Sequence, residues 1–199
     1  MYLFLASLLF VSTQIMALEC FFHAPKSEEV NVEWTAYKTP TKVGVKGRFT
    51  NVKLKSKIRM AKDWQNLALN SSVDINSKNI HTGDISRDVK IVTFFFKNMS
   101  STKIKATITS VDLATKTLGV ELKMNGKKQN ISMNYELIEK KGGTTLKAKS
   151  ISPIDVVQMF AMEKSLTAIH NACKELHQGK TWAEVDLNFE VLFNKKCTR

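Results

Sequence analysis

The 199-residue sequence contains no Cys-x-x-Cys, no Gly-x-Ser-x-Gly, no Gly-x-Gly-x-x-Gly and no phosphate-binding loop. These absences remove support for a thioredoxin-like redox site, a nucleophile elbow and a dinucleotide or nucleotide cradle. The four histidines, His23, His81, His170 and His177, are scattered. His170 and Cys173 are three apart, but two ligands do not make a zinc site, so no metal is expected. Asp84, Arg87 and Asp88 share one loop without a second carboxylate or a nucleophile in a recognisable order. Arg87 and Asp88 are read as loop-fixing residues, at most at the rim of a site.

Charge of one sign is scarce. Lys and Arg number 30 against 18 Asp and Glu, a formal net charge of +12. Such a balance suits an anionic partner. The lysines, however, are spread through the chain at alternating positions such as Lys103 and Lys105. That is the pattern of a solvated face. No cluster of arginines and aromatics suggests nucleic-acid binding.

Residues 2–11, YLFLASLLFV, form an uncharged apolar run that is too short to span a bilayer as a helix. With Ile15 and Ala17 before the expected cut, 1–17 reads as a signal peptide and 18–199 as one exported domain. Leu18 and Glu19 before Cys20 exclude a lipobox. In an oxidising compartment two of Cys20, Cys173 and Cys197 can pair. All three pairings stay open.

The rest of the chain is dominated by alternation with a period of two, the signature of strands with unlike faces. Val30, Val32, Trp34 and Ala36 form one set, and Val43, Val45, Gly47 and Phe49 form the next, after a turn at 38–41. Val73 and Ile75 continue it, then Ile104, Ala106 and Ile108, then Val120, Leu122 and Met124. Asn125-Gly126 is the preferred two-residue hairpin turn. Ile131, Met133 and Tyr135 return on the same face, and 182–193 alternates from Ala183 through Leu187 and Phe189 to Phe193. Residues 53–70 suit a short helix or a loop.

Two stretches break the alternation. Phe94, Phe95 and Phe96 are consecutive, which a one-sided strand cannot accommodate, so a corner or a plug beneath the sheet is expected. Leu166, Ile169, Cys173 and Leu176 are spaced three and four apart, predicting a helix over 163–178 that packs on a rim and stops at Gly179. Ser152, Pro153 and Asp155 suggest an N-cap, a first-turn proline and an acidic first turn of a shorter helix. The fold expected is all-β: an extended eight-stranded antiparallel β-barrel with one rim helix. A barrel of this size is either filled with side chains or holds one ligand.

The order of four motifs resembles the YceI-like family across Val30 to Phe193. They are VGVKGRF at 43–49, SSVDINSKNIHTGDISRDVKI at 71–91, VELKMNGKKQNISM at 120–133 and the terminal WAEVDLNFEVLF. The family's His-Ser near the first strand is replaced by Glu33, Trp34 and Thr35. Its Arg-x-Asp-Phe-Gly is replaced by residues 152–156, SPIDV. The resemblance implies a lipocalin-like barrel, often periplasmic, that carries a polyisoprenoid or isoprenoid quinone without catalysis. A fatty chain is a third ligand of the same class. The inward set expected to bind it is Val43, Val45, Phe49, Val73, Ile75, Ile104, Ile108, Leu122, Met133, Leu187 and Phe189. A transient contact with an anionic membrane surface is the accompanying partner expectation. The alternatives are a filled barrel that meets an anionic envelope partner through its basic surface and, more distantly, a hydrolase of unknown type. Periplasmic export predicts that N-terminal sequencing of the protein from its native host starts near Leu18. A chain that retains Met1 overturns that assignment.

Overall fold

The computed structural model describes residues 18–198, so the expected signal peptide lies outside the described residues. In chain order, β1 (Glu19–His23), β2 (Val30–Lys38), β3 (Val43–Phe49), β4 (Lys53–Ser56) and β5 (Met60–Ala61) lead to α1 (Trp64–Leu69). Next come β6 (Ser71–Asn76), β7 (Ile80–His81) and α2 (Ile85–Lys90), which runs into a π-helical turn, Ile91–Phe95, and a 3-10 turn, Phe96–Asn98. β8 (Lys103–Asp112), β9 (Thr117–Met124), β10 (Lys127–Lys140), β11 (Gly143–Ser150) and β12 (Ile154–Asp155) follow. The chain ends with α3 (Val156–Phe160), α4 (Glu163–Ala172) and β13 (Thr181–Thr198).

The strands form one 13-stranded antiparallel sheet in the order β4-β6-β8-β9-β10-β11-β13-β2-β3-β7, with β1, β5 and β12 attached beside this path. Its two ends, β4 and β7, are not paired with each other. The sheet is therefore an open, curled half-barrel with four α-helices, not the closed eight-stranded barrel that the alternation predicts. The reason lies between β6 and β8. Closure needs a full strand there, but only Ile80 and His81 pair with β3, and the rest is helical. Successive residues of a helical turn wind around its axis instead of alternating between two faces, which separates the three phenylalanines. Phe94 faces solvent, Phe96 is buried, and the Phe96 ring lies 6.1 Å from that of Phe49. The helical segment thus covers the gap that a strand would have bridged.

The helix expected over 163–178 is also shorter. α4 stops at Cys173, and the chain continues in turns that reverse at Gln178 and Gly179, both with positive φ. The side chain of His177 is held by Thr181 Oγ1 at 2.7 Å, which draws this stretch toward the start of β13 and out of the helical path. Ahead of α3, Ser152 is not the cap. Asp155 is, its carboxylate accepting from the backbone N–H groups of Val157 and Gln158, both at 2.9 Å.

β13 organises the ladder. It pairs with β11 through Asn188–Asn194, with β2 through Thr181–Val191, with β12 at Glu184 and Val185, and with β1 through Asn194–Thr198. Cys20 and Cys197 face each other in the β1 ladder and form a disulfide, leaving Cys173 free and buried. The hairpin turn at Asn125 and Gly126 has positive φ at both positions, as its sequence requires. Asn125 also ties three elements together. Its amide donates to the carbonyls of Phe160 and Ala161 and accepts from the N–H of Ser100.

The interior is most closely packed where α1 meets the sheet. Trp64 of α1 meets the rings of Tyr135 and Phe193 at 5.4 and 6.1 Å. Leu67, Leu118 and Leu146 are wholly buried. The β2–β3 hairpin is built differently. Trp34 lies across from Gly47, and a Cβ at Gly47 would stand 2.2 Å from the indole Cζ2. Only glycine leaves room for that ring. Gly47→Ala is expected to lower stability by about 1–3 kcal/mol by overpacking, read as a lower thermal midpoint. An unchanged midpoint would show that the indole can move aside.

Candidate functional site: an apolar cavity under the helical cap

The concave face of the sheet and the helices above it enclose a cavity of about 420 Å³. Its wall is almost entirely carbon. β2 and β3 contribute Val32, Trp34, Ala36, Val45 and Phe49, and β6, β8 and β9 contribute Val73, Ile75, Ile104, Ile108 and Leu122. Met133 of β10 and Val185, Leu187, Phe189 and Val191 of β13 complete the sheet side. Period-two alternation puts these residues on the concave face and their polar neighbours on the convex one.

Ten of the eleven side chains expected to point inward therefore lie on this wall. The exception is Val43, which is 47% exposed and borders no part of the cavity. It stands opposite Lys38 on the last rung of the β2–β3 hairpin, beyond the covered part of the sheet.

The roof consists of residues that strand alternation cannot reveal. Ile91 and Phe95 of the π-helical turn and Leu166, Ile169, Cys173 and Leu176 of α4 and its extension face the same space. The three-and-four spacing of the last four is visible in the sequence as a rim stripe. Their place over a cavity depends on the half-barrel remaining open.

Few polar groups reach the wall; besides Ser71, Ser72 and Thr107 on the sheet, they cluster at α2 and at the start of β13. Lys38, Asp84, Ser86, Arg87, Lys90, His177 and Thr181 border it, whereas Asp88 does not. Asp84 caps α2, accepting from the Arg87 N–H at 3.1 Å and from Ser86 Oγ at 2.8 Å. The hydrogen bond from the Arg87 N–H, followed by that from Ser86, holds the Asp84 carboxyl below its ordinary pKa. Asp88 faces back into its loop and accepts from Thr82 N and Thr82 Oγ1 at 2.9 and 2.6 Å. The Arg87-Asp88 pair thus divides: Arg87 borders the cavity, and Asp88 fixes the loop that positions α2.

A second polar margin lies where β13 begins. Thr181 Oγ1 is shared by His170 Nδ1 at 3.1 Å and His177 Nδ1 at 2.7 Å. Trp182 Nε1 donates to the carbonyl of Thr39, and Lys42 and Lys180 lie over the Trp182 ring. Tyr37 donates its hydroxyl to Asp186 at 2.6 Å, and this bond, followed by desolvation, raises the pKa of the phenol. Among the described residues no three His, Cys, Asp or Glu side chains gather as a metal site. The cavity offers apolar contact and a cationic margin.

A family model for the YceI-like domain matches residues 24–193. The chain belongs to the YceI-like family. Solved structures share the fold at low identity. A polyisoprenoid-binding domain from Saccharophagus degradans is 15% identical with a TM-score of 0.59, covering 90% of this chain and all of its own. BcnA from Burkholderia cenocepacia is 14% identical with a TM-score of 0.60, covering 84% of this chain and 98% of its own. The YceI protein of Campylobacter jejuni is 16% identical with a TM-score of 0.52, covering 77% and 86%. No curated protein matches the sequence.

His177 is expected to give this YceI-like domain a pH-dependent stability. Desolvation, then the charge of Lys38, then His170, lowers the pKa of His177 from the ordinary value of 6.5. Well above pH 6.5 the side chain is neutral in both the folded and unfolded states and has no effect on stability. As pH falls through 6.5 the unfolded chain takes up the proton first, so stability decreases, and the loss levels off below the folded-state pKa. His177→Gln is expected to reduce the fall in thermal midpoint between pH 7.5 and pH 5.5. An identical fall in both proteins would remove His177 from the account.

Proposed function

We propose that this YceI-like domain binds a long apolar amphiphile, such as a polyisoprenoid, an isoprenoid quinone or a fatty chain, as a non-enzymatic carrier or store. The carrying observation is the cavity itself: about 420 Å³ walled by Val, Ile, Leu, Met and aromatic side chains, running from Phe193 to Leu187 and Val185. Each methylene moved from water into such a wall is worth about 0.8 kcal/mol before the costs of binding. A polyisoprenoid supplies many such groups and needs no specific polar partner along its length. The cavity argues against the filled-barrel alternative. The fold is shared with a solved polyisoprenoid-binding domain from Saccharophagus degradans, which supports the same reading.

The site of action proposed is the periplasm or, without an outer membrane, the exterior. The apolar run at 2–11 and the Cys20–Cys197 disulfide support an exported chain in an oxidising compartment.

Native mass spectrometry followed by solvent extraction of the purified protein tests the ligand reading. A co-purifying isoprenoid or fatty chain is expected. An extract without lipid, together with no uptake of added quinone or polyprenol, overturns the reading. Leu187→Lys places an ammonium on the cavity wall and is expected to reduce lipid uptake at least about tenfold, because an unpaired charge there must be desolvated. Circular dichroism establishes first that the variant is folded.

A further inference from the structure

α2 is amphipathic in the opposite sense to an ordinary surface helix. Its polar residues Ser86, Arg87 and Lys90 border the cavity, together with the capping Asp84. Its apolar residues Ile85 and Val89, one helical turn apart, face water at 82% and 59% exposure and do not touch the cavity. No residue of α2 is buried. The π-helical and 3-10 turns that follow pack along α4, and the roof continues past α4 to Leu176, itself 60% exposed. Exposed apolar side chains thus stand around a cavity whose bordering charges are Lys38, Arg87 and Lys90 against the single carboxylate of Asp84.

We infer that the outward face of α2, with Ile85 and Val89 at its centre, is the surface by which this protein docks on an anionic phospholipid bilayer, bringing the cavity to the membrane. This inference rests on the proposed lipid-binding role. Three observations select a bilayer as the occupant. An apolar pair on one face with Arg87 and Lys90 on the other matches an interfacial helix, whose apolar face enters the acyl boundary while Lys and Arg meet the headgroups; of the two carboxylates, Asp84 pairs with Arg87 at 3.7 Å and Asp88 is turned back to Thr82. The net charge of +12 complements anionic headgroups and not a neutral surface. The same helix borders the cavity, so docking there brings the bilayer beside the cavity wall. No helix among the described residues is long and apolar enough to cross a membrane.

The test is vesicle flotation of the disulfide-bonded protein. Vesicles of phosphatidylcholine alone are compared with vesicles that also contain phosphatidylglycerol. The protein is expected to float with the anionic vesicles and to be released by raised salt. The double variant Ile85→Ser/Val89→Ser is expected to bind them about tenfold less. Leu113→Ser is the control. Leu113 is about as exposed as Val89 but lies in the β8–β9 turn beside Asp112, whose carbonyl accepts from the Tyr135 hydroxyl. Absence of binding to the anionic vesicles overturns the inference. So does undiminished binding by the double variant, or an equal loss in the Leu113 variant. Co-purified lipid is measured in the same preparations. Lipid retained by a double variant that no longer floats supports the docking surface. Flotation that depends on Ile85 and Val89 in a protein that yields no lipid and takes up no added quinone or polyprenol upholds the surface while defeating the carrier reading.

Discussion

The fold depends on the ladder made by β13. Its 18 residues pair with four other strands, and through β2 and β11 it joins the two halves of the curled sheet. An uninterrupted alternation along Val185, Leu187, Phe189, Val191 and Phe193 keeps one face apolar over this length. A one-residue slip would turn that whole set outward. The register is secured at both ends. Cys197 is bonded to Cys20, and Thr181 is held by two histidines from the roof. The same strand belongs to both kinds of interior: Phe193 is part of the aromatic packing, and Leu187 lines the cavity.

Alternation was legible in the sequence because it records a local fact, the two-sided environment of a strand. β8, β9, β10 and β13 follow from it, as does the Asn125-Gly126 turn. Closure was not legible. Whether two sheet ends meet depends on edges far apart in sequence, and here the edges are four residues of β4 and two of β7. The three consecutive phenylalanines rule out a one-sided strand between β6 and β8, but they do not distinguish a corner from a helix. Tertiary contacts settle it, with Phe96 against Phe49 and Phe95 over the cavity.

The site follows the same division. Side chains such as Ile104 and Leu187 could be placed on the concave face from spacing alone. Val43 fits the spacing equally well but lies beyond the cover that would bury it, and cover is a property of the assembled roof. The roof side chains Ile91, Phe95 and Leu166 had no strand signature to report them. Arg87 and Asp88 are adjacent in sequence yet face different surroundings, because one turn of α2 sends one to the cavity margin and the other back to Thr82.

What keeps the cavity from collapsing is the shape of its neighbours. A close-packed interior tolerates few voids, and where α1 meets the sheet Trp64, Tyr135 and Phe193 supply the volume to meet that demand. Elsewhere the wall carries Ala36, Val45, Val73 and Ala106, short side chains that leave space across the cavity. The strands behind them are held apart by the sheet's own hydrogen bonds, and the roof is held off by the hydrogen bonds that cap α2 and tie Thr181 to α4 and His177. Gly47 shows the same logic in one residue. It has no side chain of its own so that Trp34 can lie flat against β3. The apolar surface left uncovered in this way is a standing cost in water, and an amphiphile seated there removes it.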